Sequence, residues 1–541
     1  MGFISEPRIE TKIRKMAERV RWRDPAIVGR GIDQTRLVVD DGKPDSPEFS
    51  FMVIGDSGSG PHRGHNPQRQ IAEQMLKHRD ECRFVLHTGD VIYLVGSSEF
   101  YPKNFIEPYR EFLLGGETSK AIAYDQMVFT FPILPVPGNH DYYDLALFYG
   151  LAAQIMSPIR QLLQSHIDLD VGWHGSYQGK AYARAFLDCL KDCLPGTLEP
   201  HLNQHYTAKT KTGLCLRYQP GQFTRLPNRY YTFRMGGIDF FALDSNTFNA
   251  PSPLPNSQEG DTYRRILEQQ LEKIERDKIE VTEASAQLNP DLSEESQQID
   301  DLQAKLQQLD EVQRDILKQL ASNEMTVIDS EQLNWLERGL IESWHDPEAR
   351  GRVIYFHHPP YVTEATKWHQ SQTLAVRRRL RRVLDDVAKA IGSLAEGRSI
   401  VDLVLNGHAH CLEHLRTLDT GHADAHTDWV ICGGSGYSLR RQREEGPELT
   451  EFMGNGDNLM EETASERPVA KSMLYVGRKG SGSQKHRPYS FIRIDVKEGR
   501  PPKFVVRPFI SDWFEHQWIN RELDSFEIWA GQSNQVTEHS G

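Results

Sequence analysis

Short apolar runs, each closed by glycine or proline, punctuate a chain that is otherwise polar. Five matter most: FSFMVIGDSGSG around Asp56, RFVLHTGDVIY around Asp90 and Tyr93, ILPVPGNHD around Asn139 and His140, VIYFHHPP around His357 and His358, and VDLVLNGHAH around His408 and His410. Runs of Val, Ile, Leu and Phe bounded by turn residues predict buried strands, each followed by a turn. Elsewhere the period changes. Ile9, Ile13, Met16 and Val20 recur at helical spacing over 8–21, an amphipathic helix expected to pack on the domain. Over 258–322, Leu267, Leu271, Ile274 and Val281 repeat with Lys278 interrupting, and Leu302, Leu306, Leu309, Ile316 and Leu320 repeat with Gln313 interrupting. Asn289-Pro290-Asp291 breaks the pattern between them, and Asp291 with Glu294 suits a capping box. The prediction is an antiparallel helical hairpin with arms of roughly 40 Å. In VRRRLRRVL (376–384) Val376, Leu380, Val383 and Leu384 mark one helix face, and the arginines are expected on a solvated outer face. Residues 440–487 are polar and Gly-rich and read as a long loop.

The side chains that end the five runs are metal-ligand types. Residues placed just past the carboxyl ends of neighbouring strands converge on the crevice where open α/β sheets bind. A lone Gly-Asp turn or His-x-His carries little weight; the combination and its order carry the argument. Carboxylates, imidazoles, an amide and a phenol without a thiolate suit iron, manganese or zinc. Six or seven such groups exceed one four-coordinate ion and match two metals sharing a bridging carboxylate, from Asp56 or Asp90. Asn139 adds a ligand oxygen without charge. His408 and His410 stand at i, i+2, so they reach two adjacent metals only if the strand breaks at Gly407.

These segments resemble the calcineurin-like metallophosphoesterases, and within them the purple acid phosphatase branch. Asp56-Ser57-Gly58 lacks the histidine that many members carry in the first motif, as that branch also does, and Tyr93 follows Asp90 at the branch's spacing. NRYYTFRMGGIDFFALDSNTF (228–248), SEQLNWLERGL (330–340), WVICGGSGY (429–437) and SFIRIDVKEGRPPKFVV (490–506) extend the likeness. The resemblance implies a four-layer αββα sandwich, here with a helical-hairpin (coiled-coil) insertion. It implies that one metal is held by Asp56, Asp90, Tyr93 and His410, and the other by Asp90, Asn139, His357 and His408. It places His140 near the leaving-group oxygen as acid or charge stabiliser, and His358 beside a ligand or the substrate. For Tyr93 the competing reading is an aromatic packed beneath the sheet. The implied activity is hydrolysis of a phosphoester, foremost a phosphomonoester, by a hydroxide on two divalent or mixed-valence metal ions (iron, manganese or zinc). The alternatives are a phosphodiesterase or nuclease using the same site, and an assembly protein acting through the hairpin.

Composition narrows this further. The 541 residues suit one large domain over 48–510 with insertions at 141–227, 258–322 and 440–487, after a 1–47 extension and before a 511–541 tail. The 141–227 insertion, with His166, His174, His201 and His205, follows a ligand loop and is expected as a lid. A net charge of −13 disfavours nucleic acid and anionic membranes as partners. Six cysteines without CxxC pairs read as reduced thiols, and the N-terminus shows no apolar signal region, so a cytoplasmic location is expected. No run is long enough to span a membrane. The leucine seams of the hairpin raise the expectation of a homo-oligomer.

Overall fold

Along the strand Gly351–Phe356, successive side chains enter two different cores. In the computed structural model, which describes residues 4–62, 64–145, 175–289, 293–452, 466–480 and 484–529, Val353 and Tyr355 join one buried cluster and Ile354 and Phe356 another. Phe240 and Phe241 divide in the same way, as do Leu403 and Val404, and Val430 and Ile431. A strand has period two, and with both faces covered its run becomes continuously apolar.

One sheet is built on Phe49–Ile54 (β1), Val85–His87 (β2) and Ile133–Pro135 (β3), parallel neighbours. The other contains Tyr231–Met235 (β4), Ile238–Ala242 (β5), Gly351–Phe356 (β6), Leu403–Asn406 (β7), Leu412–Thr417 (β8) and Asp428–Cys432 (β9). Within it β5, β6, β7 and β9 lie parallel in that order. Arg487–Lys497 (β10) and Lys503–Phe514 (β11) return to the first sheet, with β10 antiparallel to β1. The sheets face each other through aromatic rings: Phe51 and Phe84 meet Phe240 edge-on at centroid distances of 5.5 and 5.4 Å.

Helices cover the outer faces. The N-terminal helix Ile9–Arg19 (α1) buries Met16 and Val20, and on the same side Lys12 reaches Glu6 and the carbonyl of Asn246. Pro67–Leu76 (α2) lies on the first sheet against β10 and β11. The hairpin is Gln258–Ala286 (α3) and Ser293–Ala321 (α4). Ser330–His345 (α5) and Ser371–Ile391 (α6) pack Leu336, Leu340, Val376, Leu380 and Leu384 onto the outer face of the second sheet. The result is the four-layer αββα sandwich with its hairpin insertion.

The hairpin closes its own seam, burying Leu267, Ile274 and Ile316 with Leu271, Leu309 and Leu320 beside them. The two interrupting residues meet there: Lys278 Nζ donates to Gln313 Oε1 at 2.8 Å. The capping box at 291–294 falls partly outside the described residues. On its other side α4 lies on the sandwich. The Asp315 carboxylate accepts from the backbone N–H groups of Ser371 and Gln372 at 2.7 and 3.0 Å, satisfying free donors at the start of α6. Lys318 reaches Glu6 and Asn249.

Several expectations change. Arg377 and Arg381 are buried rather than solvated, because Glu451 and Asp424 reach them as counter-ions and Arg377 lies 4.0 Å over the Trp368 ring. The 440–487 segment contains paired strands, Glu448–Phe452 and Glu466–Val476, the second bonded to β8. One solvated face weakens their apolar pattern, while the ladder of backbone hydrogen bonds holds them. Past residue 510, where a tail was expected, β11 runs on to Phe514, and Gln517–Glu522 and Phe526–Trp529 pair with it. Of the expected 141–227 lid, residues 146–174, with His166 and His174, lie outside the described residues. Tyr182, Phe186 and Leu202 from the remainder join the core, and His201 is held by Asp188 at 2.9 Å.

Candidate metal centre

Five loops leave the carboxyl ends of parallel strands and meet at one edge of the sandwich. Asp56 follows β1, Asp90 follows β2, Asn139 and His140 follow β3, His357 and His358 follow β6, and His408 and His410 follow β7. All eight are at least 96% buried. Asp56, Asp90 and His408 hold left-handed backbone angles, φ 53°, 55° and 65°. Non-glycine residues keep such angles only where their surroundings over-determine them. At His408 this breaks the strand just after Gly407, so His408 and His410 both turn inward.

Two groups of lone-pair atoms result. In the first, the Tyr93 hydroxyl lies 2.7 Å from Asp56 Oδ1, 2.8 Å from Asp90 Oδ2 and 3.1 Å from His410 Nε2. In the second, His357 Nε2 lies 2.9 Å from Asn139 Oδ1, 3.2 Å from Asp90 Oδ2 and 3.2 Å from His408 Nδ1. Tyr93 therefore stands among the candidate ligands rather than beneath the sheet. Asp90 Oδ2 belongs to both groups. A carbonyl only accepts, so the bond of His357 Nδ1 to Thr88 O at 2.9 Å puts a ring proton there and turns Nε2 toward the other donors. The Ser438 carbonyl fixes His410 in the same way, through Nδ1 at 3.2 Å. Carboxylate, imidazole, amide and phenol groups thus face each other in a dry site, and this donor set fits two cations. The described residues alone give two compatible triads, Asp56–Asp90–His357 and His357–His358–His408.

The electrostatics follow from burial and from the charges packed together there. Burial, and then the neighbouring Asp90 charge, push Asp56 up to about 8 against the pull of His357. Asp90 is held below the ordinary carboxylate range: burial raises it, but His357, His140 and its hydrogen bonds outweigh that. Burial lowers His357, yet the Asp90 carboxylate more than compensates and takes it to about 9. Desolvation takes His140 down to about 4.

His140 Nδ1 donates to the carbonyl of Leu94, and its backbone N–H donates to Asp90 Oδ1 at 2.8 Å. Both ring nitrogens of His358 are engaged, Nδ1 by Ser245 Oγ of the Asp-Ser-Asn segment at 2.8 Å and Nε2 by the Asn249 amide at 3.3 Å, and together these orient it. The sequence left other contributors unassigned. Asp141 accepts from the N–H groups of Gly138 and Val91 at 2.8 and 3.1 Å and ties two ligand loops together. Tyr437 stacks on Tyr93 at 3.8 Å. Lys367 bridges His408 Nε2 at 3.1 Å and Glu311 of α4 at 2.8 Å, so α4 lies over the centre. Only the His-Asp and Gly-Gly-Ser-Gly-Tyr turns were visible as motifs; Lys367 and Glu311 carry no local signal.

The glycine of Gly138-Asn139-His140 has a steric reason. A Cβ there would lie 2.1 Å from Asp90 Oδ1. Gly138→Ala is expected to displace Asp90 and to reduce metal affinity by about tenfold or more, read as metal content after dialysis.

No protein-family model matches the chain, and no curated protein does. Solved structures do match. A purple acid phosphatase from yellow lupin (Lupinus luteus) seeds aligns at 11% identity and TM-score 0.40, covering 90% of this chain and 54% of its own. GAP50, the anchor in the inner membrane complex of Plasmodium, aligns at 11% and 0.37, covering 90% of each chain. PhoD aligns at 11% and 0.37, covering 92% of this chain and 73% of its own. The chain is similar to these three across nine-tenths of its length, and it spans about half the length of the lupin phosphatase.

Proposed function

We propose that the chain hydrolyses phosphoesters, foremost phosphomonoesters, at a two-metal centre. The observation that carries this reading is Asp90 Oδ2 standing in both groups of converging donors. Asp56, Asp90, Tyr93 and His410 would hold one cation, and Asp90, Asn139, His357 and His408 the other. Bound there, the cations would supply Lewis acidity to the phosphoryl oxygens and lower the pKa of water toward neutrality. The protein's own residues do the rest. Thr88 and Ser438 aim two imidazoles, Asp141 locks two loops in register, and the loops and α4 exclude bulk water. With Nδ1 bound to Leu94, His140 keeps Nε2 free for the leaving oxygen, where it would act as acid once protonated or as charge stabiliser.

The test is metal analysis of the isolated protein, with rates on an aryl phosphomonoester, an aryl phosphodiester and single-stranded DNA. Two metals per chain and fastest turnover of the monoester are expected. Faster diester turnover would move the assignment to a phosphodiesterase, and bound metal without turnover on any of them would end the hydrolase reading.

Tyr93 offers a spectroscopic check. A phenolate on ferric iron absorbs visible light, so iron-loaded, oxidised protein is expected to be coloured and Tyr93→Phe colourless. Colourless wild type at full ferric occupancy would remove Tyr93 from the ligand set.

A further inference from the structure

The polar face of α4 rests on the crevice, and its charges are partnered with one exception. Glu311 pairs with Lys367, Asp315 with the start of α6, and Lys318 with Glu6 and Asn249. Arg314, between them, has no hydrogen bond or ion pair among the described residues; its Nε is buried without a partner, and its guanidinium lies 5.2 Å from the Tyr143 ring centroid. The nearby carboxylates Glu311, Asp310 and Glu6 are each engaged by a lysine: Lys367, Lys278 and the pair Lys12 and Lys318. Desolvation opposes its charge, but Tyr143 and those carboxylates outweigh it, so the guanidinium is held charged without a fixed partner.

Its position says what it is for. The Tyr143 ring lies 4.9 Å from His140, and His140 lies 4.1 Å from Tyr93, whose hydroxyl touches the centre. Arg314 is thus two rings beyond Tyr93, on the side of His140. Arg314 makes no contact with the donors that meet at Asp90, a placement that suits the far end of a leaving group rather than the scissile phosphoryl group. We infer that Arg314 binds a second phosphoryl group carried by the leaving portion of the substrate, so that the preferred substrates are diphosphates or bisphosphates. This rests on the hydrolase reading for the side of the site that His140 marks. A planar guanidinium fork matches two phosphoryl oxygens, whereas an ammonium offers only a point charge.

The experiment titrates metal-loaded full-length protein with orthophosphate and with methylenediphosphonate, whose P–C–P link is not hydrolysed, by calorimetry. Wild type, Arg314→Gln and Arg314→Lys are compared. Arg314→Gln is expected to weaken diphosphonate about tenfold or more beyond any effect on orthophosphate, with Arg314→Lys intermediate. Its melting temperature should stay close to that of wild type, because the substitution breaks no hydrogen bond or ion pair. Equal weakening of both ligands, or of neither, would overturn the inference. A lower melting temperature for both variants with unchanged selectivity would give Arg314 a structural role and overturn it as well. Turnover on an aryl phosphate is read separately. A protein that binds diphosphonate through Arg314 but cleaves no ester keeps this site and loses the hydrolase assignment.

Discussion

Asp90→Asn should abolish turnover and empty both halves of the centre. One oxygen of Asp90 stands within 2.8 Å of Tyr93 and 3.2 Å of His357, so the substitution removes charge from both groups at once. Two cations a few ångströms apart repel strongly at any interior dielectric, and the shared anion offsets that repulsion. Changing residues that merely orient ligands costs about 10–100-fold, so loss of the shared ligand is expected to exceed about 100-fold. Mass spectrometry of the dialysed variant provides the check; two metals per chain would refute the shared role. His140→Ala is the contrast. It should keep both metals and lose about 10²–10⁴-fold in kcat, the range for removing a proton-transfer group. If it lost metal, His140 would be a ligand instead.

Replacing 258–322 with a short Gly/Ser linker should leave a folded, metal-replete domain with reduced turnover of even a small aryl phosphate. The roots are already together: Ser322 Oγ donates to Pro251 O at 2.6 Å and Gln319 to Ser252 O at 2.8 Å. Closure entropy changes slowly with loop length, and the hairpin's apolar seam is a cluster of its own. What the deletion removes is the polar cover over the centre, including Glu311 beneath which Lys367 touches His408. With water admitted, electrostatic contacts in the crevice weaken, and a fall in kcat/KM of about tenfold or more is expected. Unchanged kcat/KM at full metal content would show that α4 is not part of the working site.

The ligand loops were legible because their signals are local. A buried strand, a turn and a ligand lie within a dozen residues, and the runs of β1, β2, β6 and β7 are buried throughout. The hairpin was legible for the same reason. Where α4 would lie was not. Glu311, Arg314, Asp315 and Lys318 on the face opposite a leucine seam look the same whether water or a polar crevice receives them. Arg377 and Arg381 failed likewise, because Glu451 and Asp424, which neutralise them, come from distant segments. The strands between 448 and 476 were missed because their stability lies in backbone pairing, which side-chain hydropathy does not record.

The Lys278–Gln313 bond lies in the hairpin seam and immediately precedes Arg314 in the chain. A helix that slips one turn along its neighbour travels about 5.4 Å, enough to take Arg314 off Tyr143 and Glu311 off Lys367. Leucine ridges alone tolerate such a slip poorly but symmetrically, whereas one half-buried polar pair in the seam favours a single register over the others. The pair therefore works as an alignment pin. It sets the longitudinal position of a cover whose contacts below are mostly polar. In evolutionary terms, a substitution at Lys278 or Gln313 would misplace the crevice's far wall without touching any residue of the crevice itself.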